Sequence, residues 1–279
     1  MKVEKELLPS EKLEVFITSS EYNLLKQNTS FLKQAKKHLR EQFSHYEGKR
    51  HEFKDINMLA KFVPVKVYET DHKGLIQELL CYVRPDVIFP LIQLSGIKEE
   101  DKDLPFNSLK YTFPKTYYVK PFFNKIGKIY NQTTDYLFGG QTTEQLLEEI
   151  KDSSSTLKSL EEKYDNLKNY AITCSAFNEK NKILTSFGSL SKIENKTLWD
   201  IEKLYNEGFE DTILQYGKIS VSKLDDLILS GAVPNKVIQD YRKVVDIRLD
   251  FMVMQLDTEE RILGIQQRKK IQSSLKRHA

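Results

Sequence analysis

The chain is poor in the residues that staple or puncture a fold. Two cysteines, Cys81 and Cys174, stand far apart in 279 residues, and no CxxC or Cys/His metal-ligand spacing occurs. That excludes a disulfide-framed secreted scaffold; a reducing, cytoplasmic setting is expected, with both thiols buried and structural. The 11 glycines and 8 prolines are too few for a sandwich or barrel of many turns. No apolar run approaches the length of a bilayer span, since "DVIFPLIQL" is broken by proline and glutamine, and no membrane partner is expected. The N-terminal "MKVEKELLPSEKLEVFITSS" alternates charge with apolar residues and lacks a signal-peptide core.

Arginine is also scarce, 8 of 43 basic side chains. Lysine is a point charge without the planar fork of arginine, so bidentate reading of phosphate or guanine is disfavoured. The net charge of +3 does not by itself mark a nucleic-acid binder, and an electrostatic argument has to rest on local clustering.

Catalytic signatures are missing too. There is no P-loop, dinucleotide glycine fingerprint, GxSxG or HExxH. Pro85-Asp86 followed by Glu100-Asp101-Lys102 matches the bare spacing of a PD…ExK nuclease, in which carboxylates hold Mg²⁺ and lysine polarises the phosphate or its attacking water. That site needs its second element on a buried strand, whereas "KEEDKD" is hydrophilic throughout and reads as a loop. A Mg-dependent nuclease is therefore the remote alternative. His38 and His45 are seven residues apart, too far along one helix to share a metal. No catalytic residue, metal ligand or cofactor is assigned, and the reading leans away from an enzyme.

Helical spacing is abundant. Leu24, Leu25, Phe31, Leu32, Ala35, Leu39 and Phe43 predict a helix over 20–46, and Lys33, Lys36, Lys37 and Arg40 share one of its faces. "KFVPVKVYET" reads as a strand, with Pro64 at an edge or a start. After Gly139 and Gly140, Thr142 and Gln145 form a capping-box pair. Leu146, Ile150, Ser153, Leu157, Leu160, Tyr164, Leu167 and Ala171 then step by fours and threes, a heptad seam with its weak point at "DSSST". Residues 220–248 read as helix, turn, helix, with Gly231 at the turn. The second helix finds no stop after Pro234, so the spacing predicts a bundle strut from Asn235 to Leu275, roughly 60 Å long at about 1.5 Å per residue. A strut of that length favours an αα-hairpin over a DNA-reading helix-turn-helix. The expected fold is mainly α with a small β component. A mixed α+β domain occupies 1–138, and a helical-bundle or coiled-coil-like domain occupies 141–279.

One stretch carries the functional question. "SLKYTFPKTYYVKPFFNKIGKIYNQ", residues 108–132, holds five lysines, seven aromatic residues and no carboxylate. A single-strand binder stacks bases on aromatic faces and holds phosphates with lysine. An aromatic core element with solvated lysines has the same composition. The candidate nucleic-acid residues are Lys33, Lys36, Lys37, Arg40, Lys110, Tyr111, Lys115, Tyr118, Lys120, Lys125, Lys128 and, in the acid-free C-terminal stretch, Arg268, Lys269 and Lys270. The expected function is that of a non-enzymatic accessory protein, assembling with a protein partner or with itself through its helical half, its basic surfaces meeting DNA or RNA. The alternative is a protein-binding adaptor or inhibitor with no nucleic-acid contact.

Overall fold

The computed structural model describes residues 7–98, 101 and 104–276, with side chains to 268 and at 271. In chain order, helices α1 (Pro9–Ile17) and α2 (Ser20–Ser44) precede strands β1 (Arg50–Phe53) and β2 (Met58–Thr70). Helices α3 (His72–Tyr82) and α4 (Pro85–Ile88) lead to strands β3 (Ile92–Leu94) and β4 (Tyr117–Phe123). The long helix α5 (Thr143–Ala171) and the single turn α6 (Ala176–Glu179) precede strands β5 (Lys182–Thr185) and β6 (Gly188–Glu194). Helices α7 (Ile201–Asn206) and α8 (Glu210–Tyr216), strand β7 (Gly217–Ile219), and helices α9 (Asp225–Leu229) and α10 (Asn235–Asp240) follow. Strand β8 (Arg242–Gln255) and helix α11 (Leu256–Lys276) come last.

The chain divides into two compact units, each assembled from distant segments. The first takes the described residues of Met1–Val63, Thr116–Asn195 and Phe251–Asp257; the second takes Pro64–Lys115, Lys196–Asp250 and the described part of Thr258–Ala279. Gly139 and Gly140, the expected boundary, fall inside a continuous segment of the first unit.

In the first unit α5 packs against α1, α2 and β4. Thr142 Oγ1 accepts the Gln145 N–H at 3.2 Å and Gln145 Oε1 accepts the Thr142 N–H at 2.9 Å, closing the capping box that opens α5. "DSSST" stays helical within it, with Ser154 Oγ donating to the Ile150 carbonyl. Leu146, Leu147 and Ile150 share one core cluster with Phe31, Leu32, Ala35, Leu39 and Phe43 of α2 and with Met58, Ala60 and Phe62 of β2. Leu160 and Ala171 share another with Leu13, Phe16 and Ile17 of α1 and with Val119, Phe187 and Leu190. The heptad seam therefore meets helices and strands of its own chain.

In the second unit the core gathers Leu75, Ile76, Leu79, Ile88, Ile92, Trp199, Leu204, Ile213, Leu224 and Ile238 around the β3-β7 ladder. Ile92 pairs with Ile219 and Leu94 with Gly217 in that ladder.

The expected helical C-terminal half is not there. Among the described residues the chain is 54% helix and 22% strand, the strands forming three small antiparallel sheets mixed with helices, and no C-terminal coiled coil is evident. The strut from Asn235 to Leu275 is instead α10, β8 and α11. Val245, Ile247, Leu249, Phe251 and Val253 alternate with Val244, Asp246, Arg248 and Asp250, a period of two that coexists in the sequence with the helical spacing. Two conditions decide for the strand. The stretch is rich in β-branched residues, which lose rotamer freedom in a helix, and β2 lies beside it as a partner in the order β1-β2-β8. The Asp71 N–H donates to the Tyr241 carbonyl at 3.0 Å and the Leu256 N–H to the Asn57 carbonyl at 3.3 Å, one pair at each end of the ladder. Cys81 also departs from expectation: it is exposed on α3, while Cys174 is buried beside Ser10. Among the described residues no helix is long and apolar enough to cross a membrane.

His72 opens α3, and its Nδ1 accepts the Ile219 N–H at 3.3 Å. Burial holds this imidazole below its ordinary value of 6.5; Lys218 pushes the same way and Asp71 opposes them. The unfolded chain binds this proton more readily than the folded one. The contribution to stability is therefore complete above about pH 6.5 and declines as pH falls toward the depressed value. Denaturant midpoints measured from about pH 8 down to about pH 5 are expected to drop on the acid side. His72→Asn, whose amide oxygen still accepts the Ile219 N–H, is expected to flatten that acid slope. An unchanged slope in the variant would remove His72 as its cause.

Candidate nucleic-acid interface

The aromatic, basic stretch is shared between the units, which divide at Lys115 and Thr116. Its part in the second unit is a packing element. Tyr111 is 3% exposed, and its ring meets Phe106 and Phe209 at centroid distances of 5.0 Å and 5.4 Å. Its hydroxyl donates to Glu207 Oε2, and Lys110 Nζ donates to the same oxygen. Lys203 Nζ donates to the Lys110 carbonyl at 3.0 Å. The hydrogen bond to Glu207, then the one to Tyr111, hold the Lys110 ammonium above its ordinary value. Hydrogen bonds from Lys110, then from Tyr111, hold the Glu207 carboxyl below its own. Glu207 thus occupies the lysine and the tyrosine that the sequence offered to phosphate and base.

The part in the first unit is built differently. β4 is an edge strand of the sheet ordered β4-β6-β5, and Pro121 sits where a missing donor is tolerated. Alternation sends Val119, Pro121 and Phe123 to one face and Tyr118, Lys120 and Phe122 to the other. The inner face joins the core: Val119 is 2% exposed, and the Phe123 ring stacks on Tyr22 at 6.1 Å and meets Phe187 at 5.3 Å. The outer face reads as three cross-strand rows. Tyr118 stands opposite Ile193. Lys120 stands opposite Ser191, which stands opposite Lys182. Phe122 stands opposite Ser189, which stands opposite Leu184. No carboxylate occupies any of these positions.

Exposure on this face is confined to the outer strands. Tyr118 is 44% exposed, Phe122 45% and Leu184 79%, with Lys120 and Lys182 also exposed, while on the central strand Ser191 and Ile193 are half-buried and Ser189 is buried. Successive rows on one face lie about 7 Å apart, and the two lysines of the middle row, with one strand between them, about 10 Å apart. The order is a row with one tyrosine, a cationic row with a hydroxyl at its centre, and a row with one phenylalanine. Lys120 Nζ lies 5.5 Å from the Phe122 ring centroid, so cation and aromatic face are already neighbours. Chemically, the middle row can hold a phosphate while the flanking rings stack against bases.

The other candidates are dispersed. Lys33, Lys36, Lys37 and Arg40 are exposed on α2, with Lys37 3.8 Å from Glu41 one turn on. Lys115 is exposed at the end of the second unit's segment, and Lys125 and Lys128 are exposed around the turn Gly127–Asn131. Arg268 is exposed on α11 and donates to the Gly264 carbonyl; the side chains of Lys269 and Lys270 lie outside the described residues. Lys182, Leu184, Ser191 and Ile193 were missed in sequence because "NEKNKILTSFGSLSKIENKT" reads as a polar connection. Its signal was two short alternating runs around "SFG".

The nuclease spacing does not assemble from what is described. Asp86 is ion-paired with Arg84 at 2.9 Å, Asp101 accepts the Lys98 N–H, and Glu100 and Lys102 lie outside the described residues. His38 stacks on Phe138 and His51 on Phe43, at 5.2 Å and 4.4 Å. Among the described residues no three His, Cys, Asp or Glu side chains gather as metal ligands. A cavity of about 470 Å³ in the second unit is lined by Phe89, Ile92, Trp199, Asp86 and Asp200. Its two aspartates are engaged already, Asp86 by Arg84 and Asp200 as the cap of α7. No family model, curated protein or solved structure matches the chain.

The two faces of the β4-β6-β5 sheet differ in what they contribute to folding. Leu190→Ala empties the core side and is expected to cost about 2–5 kcal/mol. Tyr118→Ala and Phe122→Ala, on the outer side, are expected to cost less than about 1 kcal/mol each. Gly188 holds φ +144°, and a Cβ there would lie 2.2 Å from the Phe122 carbonyl oxygen. Gly188→Ala is therefore expected to destabilise by at least the outer-face pair combined, through at least about 1–3 kcal/mol of backbone strain. Equilibrium denaturation of the four variants checks the order, and an outer-face variant as costly as Leu190→Ala would assign that face to the core.

Proposed function

We propose that the protein is a non-enzymatic accessory protein that binds single-stranded nucleic acid through the outer face of β4-β6-β5. One observation carries this reading: Tyr118 and Phe122 flank a row of Lys120, Ser191 and Lys182 on a carboxylate-free sheet face whose two outer strands are exposed. Each part has a role. The rings offer π-faces that accept any base, the lysines neutralise phosphate, and the serine hydroxyl adds a directional donor. Lysine in place of arginine favours contact with the backbone over reading of base edges, so the surface is tolerant of sequence. A duplex keeps its bases stacked inside and offers these rings nothing, so single strands are the substrate. The free thiols Cys81 and Cys174 suit a reducing compartment, and the reading places the protein in the cytoplasm.

Fluorescence anisotropy of labelled oligo-U and oligo-dT tests this at two salt concentrations. With about two phosphates neutralised, raising salt from about 50 to about 200 mM is expected to weaken binding roughly sevenfold. Lys120→Gln with Lys182→Gln is expected to weaken binding at low salt and to flatten that dependence. Tyr118→Ala with Phe122→Ala is expected to cost at least about tenfold at either salt, since each stacked base contributes about 1–3 kcal/mol. Lys110→Gln, whose ammonium Glu207 already holds, is expected to change nothing. Absence of binding at the lower salt, or binding indifferent to both double variants, would overturn the proposal and leave the face to a protein partner.

A further inference from the structure

The second unit carries an apolar strip of another kind, and it leads beyond nucleic acid. From Pro64 to Thr70, β2 runs past the end of β1, which pairs only as far as Lys61. Among the described residues, β2 and β8 form a two-stranded ribbon over this length, and β8 is the terminal strand of its sheet. Isolated two-stranded ribbons are marginal in water. This one exposes aliphatic side chains along β8: Val244 41%, Val245 52%, Ile247 59% and Leu249 42%. Every residue from Lys243 to Leu249 is exposed. A long, apolar edge strand is a template for a further strand unless charge or curvature blunts it.

The charges on β8 identify the further strand as a second copy of itself. A two-fold axis perpendicular to a sheet sets two copies of one strand side by side and antiparallel, with residues equidistant from the axis directly opposite. An axis at Ile247 places Asp246 opposite the partner's Arg248, twice by symmetry. On the other face it places Val245 opposite the partner's Leu249, and Ile247 opposite its own copy. Moving the axis by one residue sets Asp246 against Asp246 or Arg248 against Arg248, both repulsive. Among the described residues these charges have local partners. Arg248 lies 3.0 Å from Asp250, and Asp246 accepts the N–H of its neighbour Ile247 at 2.8 Å. Such exposed contacts are worth little and exchange readily for cross-strand ones.

We infer that the protein forms a symmetric homodimer by antiparallel pairing of β8 with β8 of a second copy, centred on Ile247. The ladder joins two ribbons into a four-stranded sheet, and the aliphatic row Val245, Ile247, Leu249 becomes continuous across the axis. Self-association was expected of a helical half; the structure moves its basis to a strand. The inference is independent of the nucleic-acid reading, because every residue it uses belongs to the second unit.

Size-exclusion chromatography with light scattering of the full chain, over a wide concentration range, reads the outcome. Wild type is expected to run as a dimer that dissociates on dilution. Asp246→Arg sets arginines opposite each other and Arg248→Asp sets aspartates opposite each other; each is expected to raise the dimer Kd about tenfold or more. The double exchange Asp246→Arg with Arg248→Asp restores opposite charges across the axis and is expected to recover most of that loss. Ile247→Lys is expected to give a monomer. Unchanged circular dichroism in each variant separates loss of the interface from loss of fold. A monomeric wild type, charge variants that dimerise as well as wild type, or a double exchange as weak as the singles would overturn the inference.

Discussion

The first unit depends on one helix finding its partners within its own chain. The apolar stripe of α5 is long enough to serve two clusters, one through Leu146, Leu147 and Ile150, the other through Leu160 and Ala171. Leu157 packs against both. Around it gather α1, α2, β2 and the sheet β4-β6-β5, whose sequences lie on either side of it. Burial of apolar side chains is the dominant favourable term in folding, and here much of it passes through a single amphipathic surface. Lys163 Nζ, 2.6 Å from Glu21, lies at the exposed margin of the α5–α2 seam, where an ion pair adds little to the apolar contacts beneath.

That backing gives the outer sheet face its physical character. Val119, Phe123, Phe187 and Leu190 are locked into the core, so the strands carrying Tyr118, Lys120 and Phe122 are fixed in register before any ligand arrives. A site on packed strands loses less conformational entropy on binding than one on a loop. The net charge of +3 says nothing of this. What matters is that alternation, together with the pairing of β5 and β6, collects two lysines and no carboxylate on one side of the sheet.

Local pattern was legible in the sequence, and distant pairing was not. The spacing along α2 predicts the burial of Leu25, Phe31, Leu32, Ala35, Leu39 and Phe43, and only Leu24 of that set is exposed. The capping box at Thr142 and the strand through Val63, Val65 and Val67 were equally local signals. The C-terminal half misled because 242–255 satisfies helix and strand periods together, and the partner that decides between them lies about 180 residues earlier. The site divides the same way. The alternation of Tyr118, Lys120 and Phe122 can be read from a few residues. The rows they complete depend on β5 and β6, more than 60 positions away, and the Tyr111 hydroxyl is held by Glu207, nearly 100 positions away. Each error concerns contacts that no window of ten or twenty residues contains.

Energetics connect the two proposals. Two stacked bases at about 1–3 kcal/mol each reach only about 2–6 kcal/mol, and about 4 kcal/mol corresponds to a millimolar dissociation constant. Two lysines add a salt-dependent term without changing that class of affinity. On the proposed reading, a single face of this size would hold a strand briefly. The proposed dimer would carry two such faces, and a strand that met both would make the second contact an intramolecular one, raising avidity by about 10²–10⁴ without any new interaction. Binding would then depend on protein concentration through the β8 interface and on salt through the lysine rows, two dependences that separate experimentally because they arise from different strands in different units.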